Sequence, residues 1–577
     1  MTGDRMNLAL INVVMDGDYQ YEQEVPLGIC SLAAFLRQKG RQASIHQCFA
    51  SRGQEQIDRA AAVEADVYGF QLTMVNFAAV RQVAAAVKAR RPEARVLAGG
   101  PFLSMLYEDI LASESAIDAI VIGEGEYTTL EFLEALDRGE TDFAGIQGLA
   151  WRDGHGGVQT NPFRKPCEDL DALPFPARDF LEQGQKDPVD GGLRESVRVI
   201  TSRGCIGKCS FCCVNLYSRM YKGKRWRGRS PGHVVDELEL LARDYKARLF
   251  NFSDSSFEDP GEAGKRRARA ICQEIIRRKL KISAKVYMRC ETMKTEQDMA
   301  LLRLYKQAGI DVVIIGAEAG SDQELAIYEK HASAEDNYRT ALMLKDMGLF
   351  YVLVGFIMFG PYSTGETLRA NIEFLRKCGL ACSVRSLTNV LMLVRASKLY
   401  HRLKSEGKVI EAKNYWEQPT YVIEDPVGRR VSLLWENMFA RYPHVLEMDS
   451  LQINIGNLVA RMTNPMNRAV LDAFREEFQA FKASFNQYEH DLGERNYRHF
   501  LAVLDGVARG DSDEALNALF HQLFVVEYAE IKQRYARLYE AFLGRISDAG
   551  FGLSGLVFKN FTSALSMDDT KKVAAAG

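Results

Sequence analysis

From Leu8 onward, short apolar runs alternate with longer amphipathic stretches. Leu8 to Met15 reads as a strand and Leu27 to Lys39 as a helix. Gln42 to His46 is a second strand. Asp66 to Leu72 is a third, followed by a helix from Asn76 to Arg90. Arg95 to Ala98 and Ala119 to Ile122 are two more, each ending at glycine. This βα repetition predicts a parallel sheet with helices on both faces over residues 1–150. Ligands of such sheets bind beyond the carboxyl ends of the strands. Those ends are Asp16 to Glu24, Thr73 to Asn76, Gly99-Gly100-Pro101 and Gly123-Glu124-Gly125-Glu126.

Residues 151–194 read as a linker. Five of the fifteen prolines fall between Pro162 and Pro188, and Leu173-Pro174-Phe175-Pro176 suits neither a helix interior nor a central strand. The alternation restarts over 195–395, with strands at Val197–Thr201, Arg248–Phe252, Ala284–Met288, Asp311–Gly316, Tyr351–Phe359 and Ser383–Met392. Six such units predict an incomplete (β/α) barrel with its function at the carboxyl ends of the strands. Residues 396–577 read as helical: Pro465 to His490, Glu494 to Arg509, and Asp513 to Arg545 with one break. They are expected to cap the barrel mouth and shape the substrate pocket. The tail, Lys571 to Gly577, is expected to be disordered. The fold class is α/β with a helical C-terminal region.

A length of 577 residues needs several cores. Lys plus Arg is 73 and Asp plus Glu is 76, a net charge of −3, which gives no electrostatic case for a nucleic-acid binder. The basic run Arg219 to Arg229 reads as architecture or as a contact for an anionic cofactor. No apolar run reaches the ~20 residues of a membrane helix, and no secretory signal pattern opens the sequence. The expected location is the cytoplasm.

Eleven cysteines are too few for a disulfide scaffold in such a chain. Eight are scattered and read mostly as core; Cys213 is among them. Cys205, Cys209 and Cys212 form a C-x3-C-x2-C loop directly after the first barrel strand. Three thiolates can hold three irons of a [4Fe–4S] cube and leave the fourth iron open. Zinc would want a fourth Cys or His, and the next His is His233.

With this loop the chain resembles the radical S-adenosylmethionine superfamily over about Val197 to Tyr400. The resemblance implies that Cys205, Cys209 and Cys212 ligate the cluster, whose open iron chelates S-adenosylmethionine. Reductive cleavage then releases a 5′-deoxyadenosyl radical. It further implies that Phe211 packs near the adenine and that Ser253 and Asp254 meet the methionine amino group. Arg289 would pair with the methionine carboxylate, Glu318 would accept from the ribose hydroxyls, and Gly355 to Gly360 would line the adenine site.

The first domain resembles the cobalamin-binding domain of the methyltransferase branch of that superfamily. The matching pieces are Pro26-Leu27-Gly28, Thr73 with Asn76, Gly99-Gly100-Pro101 and Gly123-Glu124-Gly125-Glu126. Thr73, Asn76, Gly99, Gly100, Gly123, Glu124 and Gly125 are the implied cobalamin contacts. No Asp-x-His-x-x-Gly loop is present, so the cobalt is expected to lack a protein imidazole.

The function these resemblances imply is cobalamin-dependent methylation of an unreactive carbon or phosphinate phosphorus of a small molecule. An external one-electron reductant such as flavodoxin or ferredoxin would be needed. Radical rearrangement, cyclisation or dehydration without methyl transfer is the alternative. An iron–sulfur electron-transfer or sensor protein fits the open cluster site less well.

Overall fold

The computed structural model describes residues 5–15, 26–101, 103–215, 223–442 and 445–557. Asp16 to Glu24, Arg219 to Lys222, His444 and Lys571 to Gly577 lie outside them. The first sheet has seven strands: β1 (Leu8–Val14), β2 (Ala43–Phe49), β3 (Val67–Gln71), β4 (Arg95–Gly99), β5 (Ala119–Val121), β6 (Leu149–Arg152) and β7 (Val158–Thr160). Their order is β2-β1-β3-β4-β5-β6-β7. β1 to β5 are parallel, and every side chain of β1 is buried, because helices cover both faces. Ile11, Phe70 and Val96 pack under helices 54–62 and 77–90; Leu10, Val67 and Leu97 pack under helices 27–38 and 125–137.

The sheet runs past the expected boundary at residue 150. β6 and β7 add antiparallel to its edge, and Leu149, Ala150 and Trp151 are buried there. The connection to the second domain therefore begins after Thr160.

The second sheet is parallel and has five strands: β8 (Ser196–Val199), β11 (Leu249–Phe252), β12 (Ser283–Arg289), β13 (Ile310–Glu318) and β14 (Tyr351–Phe356), in the order β14-β13-β12-β11-β8. A small hairpin, β9 (Ser202–Gly204) with β10 (Trp226–Gly228), stands above β8. The strands alternate sharply. Val197, Val199, Phe250, Phe252, Val286 and Met288 are buried in the core that also holds Val234, Leu238 and Ile271 of the covering helices. Arg198, Asn251, Lys285, Tyr287, Arg289, Ile314 and Gly316 lie on the opposite, concave face and stay partly accessible.

The expected sixth strand, Ser383 to Met392, is not formed. Val384–Thr388 is a short helix whose first turn is capped by the Ser383 side chain, which accepts from Ser386 N. Val384 and Leu387 bury one helical face, a spacing of three that suits a helix. Only Val390 bridges to Phe359. The half-barrel is thus open beyond β14.

The C-terminal helices cover that opening. Helix 445–462 packs on β13 and β14, and helix 475–509 packs on helix 365–377. Asn464 Nδ2 donates to Ile282 O at 3.0 Å and to Asp311 Oδ2 at 2.6 Å, tying the helices to the amino ends of the strands. They close the edge and floor of the half-barrel. The expected break near residue 493 is absent. Gly493 lies inside the 35-residue helix Arg475–Arg509, beside the backbone of Ala381 and Cys382. The later break falls at a π-helical turn, Gln522–Glu527. Tyr415 and Trp416 reach back to the first domain, against Phe77. Among the described residues no helix is long and apolar enough to cross a membrane.

Candidate functional site

The cysteine loop leaves β8 under tight restraint. Asp254 is 2% exposed and accepts from Thr201 N, Thr201 Oγ1 and Ser202 N at 2.5–2.8 Å. Burial raises its pKa, and Arg267 opposes this. Asp254 is therefore occupied in holding the loop. At the far end, Ser210 N donates to Tyr328 O, and Leu399 N donates to Ser210 O. Phe211 meets Tyr328 edge to face at 5.6 Å.

Between these anchors Cys205, Cys209 and Cys212 are part-buried thiols. A Cβ at Gly207 would stand 3.2 Å from Cys205 Sγ and 3.9 Å from Cys209 Sγ, so the glycine keeps the space between them open. Burial pushes the Cys205 thiol up to about 12 and Cys209 to about 11. Cys212 is held low, about 6, by the Cys213 thiol and by the Val214 and Asn215 backbone. Among the described residues no three thiol, imidazole or carboxylate groups converge as ligands of a single ion. A cube takes each thiolate at a separate corner, so this loop suits a cluster with one open iron. Cys213 departs from its core reading: it is exposed and lines the cavity between the domains.

Asp259, Arg289 and Glu291 crowd beside Cys205. Arg289 pairs with Asp259 at 3.3 Å and with Glu291 at 3.4 Å. Burial lowers the guanidinium pKa, but the two carboxylates and Cys205 outweigh it, and the net direction is up. Arg289 Nη1 lies 4.0 Å from the position of a Gly207 Cβ, at the edge of the same space.

Glu318 ends β13 with φ of 65°, at a bulge in the pairing with β14. Lys330 Nζ donates to Glu318 Oε1 at 3.1 Å from a side chain only 6% exposed. Burial disfavours that ammonium; Glu318 and Cys209 overcompensate and raise its pKa. Gly316 and Gly355 are paired in register beneath this ion pair. A Cβ at Gly316 would come within 2.9 Å of Glu318 Oε1 and 3.1 Å of Lys330 Nζ. Ser253 stands at the end of β11, open to the interdomain cavity. Lys330 has no signature in the sequence; it lies twelve residues beyond Glu318 in an ordinary-looking segment.

That cavity, of about 480 Å³, separates the two sheets. Its first-domain wall includes Gly28, Gly99, Gly100, Gly123 and Gly125, and its other wall includes Arg203, Cys213, Val214 and Ser253. Gly100 has φ of 131°, and a Cβ there would stand 2.7 Å from Leu72 O. Such a glycine-lined cleft fits a large planar ligand that must approach backbone closely. No histidine lines it among the described residues; His46 lies on β2, beside Ser44.

Three of the expected contacts are also engaged by the protein itself. Thr73 N donates to Asn76 Oδ1, and Asn76 N to Thr73 Oγ1, while Asn76 Nδ2 donates to Val13 O and Gln71 O. This pair fixes the start of a helix and the ends of β1 and β3, away from the cavity wall. Glu124 lines the cavity and also meets protein groups. It accepts from Cys167 N at 2.9 Å and pairs with Arg227 at 2.8 Å. Burial pushes its carboxyl up, but Arg203 and Arg227 hold it below the usual range.

Residues 20–133 match the B12 binding domain, and residues 199–375 match the Radical SAM superfamily. An uncharacterized methyltransferase of Pyrococcus horikoshii is 31% identical over 54% of this chain and 64% of its own length. The anaerobic magnesium-protoporphyrin IX monomethyl ester cyclase of Rubrivivax gelatinosus is 30% identical over 49% of each chain. The chain thus spans about half to two-thirds of the length of these curated relatives. The structure of the cobalamin-dependent S-adenosylmethionine radical enzyme OxsB, with aqua-cobalamin and S-adenosylmethionine, superposes with a TM-score of 0.68 at 17% identity, covering 94% of this chain and 81% of that one. The radical S-adenosylmethionine methyltransferase TsrM of Kitasatospora setae gives 0.53 at 19% identity over 71% of this chain and 76% of that one. The chain therefore carries a B12-binding domain followed by a radical SAM domain, with cobalamin-dependent radical S-adenosylmethionine enzymes as its structural neighbours.

Proposed function

We propose that the protein is a cobalamin-dependent radical S-adenosylmethionine methyltransferase acting on an unreactive carbon or phosphinate phosphorus of a small-molecule intermediate. One observation carries this reading: the glycine-lined cleft of the first domain reaches Gly204 and Cys213, the residues that flank the cysteine loop of the second. When bound, the cluster supplies the electron that cleaves S-adenosylmethionine, and cobalamin supplies the methyl carrier.

The chain's own residues divide the remaining work. Cys205, Cys209 and Cys212 would hold the cluster, with Gly207 leaving room between the first two. Arg289 and Lys330 are the cations at the strand ends, suited to a carboxylate. Glu318 is the acceptor suited to ribose hydroxyls. Ser253 offers a hydroxyl at the end of β11. Gly99, Gly100, Gly123 and Gly125 would let a corrin approach backbone, and the burial around the loop keeps bulk water from a reactive radical. The electron would come from an external donor such as flavodoxin or ferredoxin.

The relatives named as cyclase and as 4'-phospho-dehydrooxetanocin synthase support a second reading, radical chemistry without methyl transfer. Product analysis separates the two. Reconstituted, cobalamin-loaded protein given S-adenosylmethionine and a reductant should form S-adenosylhomocysteine as well as 5′-deoxyadenosine. 5′-Deoxyadenosine alone, with cobalamin bound, would favour the second reading.

A further inference from the structure

Glu318 stands on backbone that its own side chain disfavours. Ala319 N donates to Ala317 O at 2.8 Å, a bond that skips one residue, and Glu318 between them has φ of 65°. This is the strained form of the γ-turn, rare for any residue and rarer for one with a Cβ. The same step makes the bulge. Gly316 pairs with Gly355 and Glu318 with Phe356, so Ala317 is an extra residue on β13. Such a turn persists only where its surroundings hold it.

Asn337 supplies the hold. Its Nδ2 donates to Ala317 O and to Ala319 O, each at 2.9 Å, one carbonyl on either side of Glu318. The amide nitrogen carries two N–H donors, enough for both carbonyls, and the side chain is fully buried. Asn337 lies in the first turn of helix 334–347, whose start is fixed by a capping box between Ser333 and Asp336. Thr340 of the same helix donates from Oγ1 to Cys290 O at 2.6 Å, which ties it to the end of β12. Past the turn, Gly320 N donates to Asn371 Oδ1 at 2.7 Å.

The turn decides where the carboxylate goes. It folds back over the glycine pair: a Cβ at Gly316 would stand 2.9 Å from Glu318 Oε1, and one at Gly355 would stand 4.0 Å from Oε2. Lys330 Nζ occupies Oε1 at 3.1 Å. Oε2 has no hydrogen-bond partner among the described residues. One oxygen is anchored and the other is presented at the strand ends.

We propose that Asn337 is a positioning residue for S-adenosylmethionine binding: by clamping this turn it presents Glu318 Oε2 to a ligand hydroxyl. Asn337 itself touches no ligand. Backbone released to the extended form at 318 would carry the carboxylate off the glycine pair, and the acceptor would be lost although Glu318 remained. The inference rests on the radical-enzyme reading for the identity of the ligand; the clamp is measured without it.

The first readout is hydrogen exchange of the unloaded full chain. Asn337→Leu, and separately the smaller change Asn337→Ser, should speed deuterium uptake in peptides spanning Ala317–Gly320 about tenfold, as a lost buried hydrogen bond does. Peptides of β8 and β11 should keep the parent rate. The second readout is equilibrium dialysis of S-adenosylmethionine with the cluster loaded and oxidised, so that no cleavage competes. Asn337→Leu and Glu318→Gln should each weaken binding about tenfold, with iron content unchanged. The double variant should bind no more weakly than the weaker single one, because one residue acts through the other. Gly316→Ala places a methyl against Glu318 Oε1 and leaves Asn337 and the turn intact. It should weaken binding too, and it answers even where the Asn337 variants do not fold. Parent exchange rates in a folded Asn337 variant overturn the proposal. Additive losses in the double variant overturn it as well, making Asn337 a general support, and so does full affinity in Gly316→Ala. Failure of the radical-enzyme reading is seen elsewhere, as absence of iron–sulfur absorption after reconstitution, and the exchange rates then still decide on the clamp.

Discussion

Arg203 of the second domain donates from Nη2 to Glu126 Oε1 of the first at 2.7 Å, and both side chains are largely enclosed at the seam. Glu124 joins them, paired with Arg203 and Arg227. Two arginines of the β9–β10 hairpin thus grip two glutamates that follow β5. The hairpin continues into the cysteine loop, and the glutamates flank Gly125 of the cleft. The four charges set how the cleft faces the cysteines. Glu126→Gln leaves Arg203 short of a partner and should cost about 1–3 kcal/mol in urea unfolding. Arg203→Met should cost as much, and the double variant clearly less than the sum. Strict additivity would mean that the pair is not coupled.

Changing Cys205, Cys209 and Cys212 together to Ala should abolish the broad iron–sulfur absorption and the reductive cleavage of S-adenosylmethionine. Gly207→Ala is the finer probe. Its methyl would enter the space between Cys205 Sγ and Cys209 Sγ, so iron content should drop while all three thiols remain. Full iron loading in the triple variant would remove the ligand assignment.

Much of this was legible in the sequence, and the rest was hidden for identifiable reasons. Apolar runs such as Leu8 to Val14, interrupted only by Asn12, announced buried parallel strands, and three cysteines in eight residues announced their own chemistry. Polar residues at strand ends were harder. Asp254, Thr73, Asn76 and Glu124 stand at strand ends, yet they hold loops and domains together, and sequence position does not separate such a role from ligand contact. Ser383 to Met392 is apolar enough for a strand, but a serine cap and the spacing of Val384 and Leu387 fold it as a helix. The approach of Lys330 to Glu318 arises only from packing.

Glu318 and Lys330 form an ion pair at the mouth of the half-barrel. If Glu318 accepts from ribose hydroxyls, Glu318→Gln should weaken S-adenosylmethionine binding about tenfold or more, the loss expected for hydrogen bonds to a charged acceptor. The cluster spectrum and melting temperature should stay near those of the parent. Loss of soluble protein with no separable binding defect would instead make the glutamate a support for the bulge.

Glu324 supplies a pH test of the second domain. It is 1% exposed and accepts from Ser363 Oγ at 3.0 Å and Asn371 Nδ2 at 2.8 Å. Burial outweighs these bonds and raises its carboxyl from 4.5 to about 7. The folded state therefore keeps a proton that the unfolded chain releases between these values. The stabilisation is full below about 4.5 and declines as pH rises to about 7, by up to about 1.4 kcal/mol per pH unit. Glu324→Gln cannot titrate, so its stability should fall less steeply than the parent's across that window in urea unfolding. Parallel curves would place the titration elsewhere.

Cobalamin binding decides between the two functional readings. The cleft wall contains Gly99, Gly100, Gly123 and Gly125 and, among the described residues, no histidine. A corrin seated there would have the cysteine loop on one side, where methyl transfer needs access, and no imidazole to take the other. Hydroxocobalamin should therefore bind at about one per chain by the single cleft of a doubly wound sheet. Electron paramagnetic resonance of the Co(II) form should lack nitrogen superhyperfine splitting. Gly100→Val should abolish binding, because its side chain would press on Leu72 O in a backbone conformation that favours glycine. Strong nitrogen splitting would reveal an imidazole ligand from outside this wall. A protein that binds no cobalamin, yet cleaves S-adenosylmethionine, would leave the cobalamin-free radical enzyme as the better account.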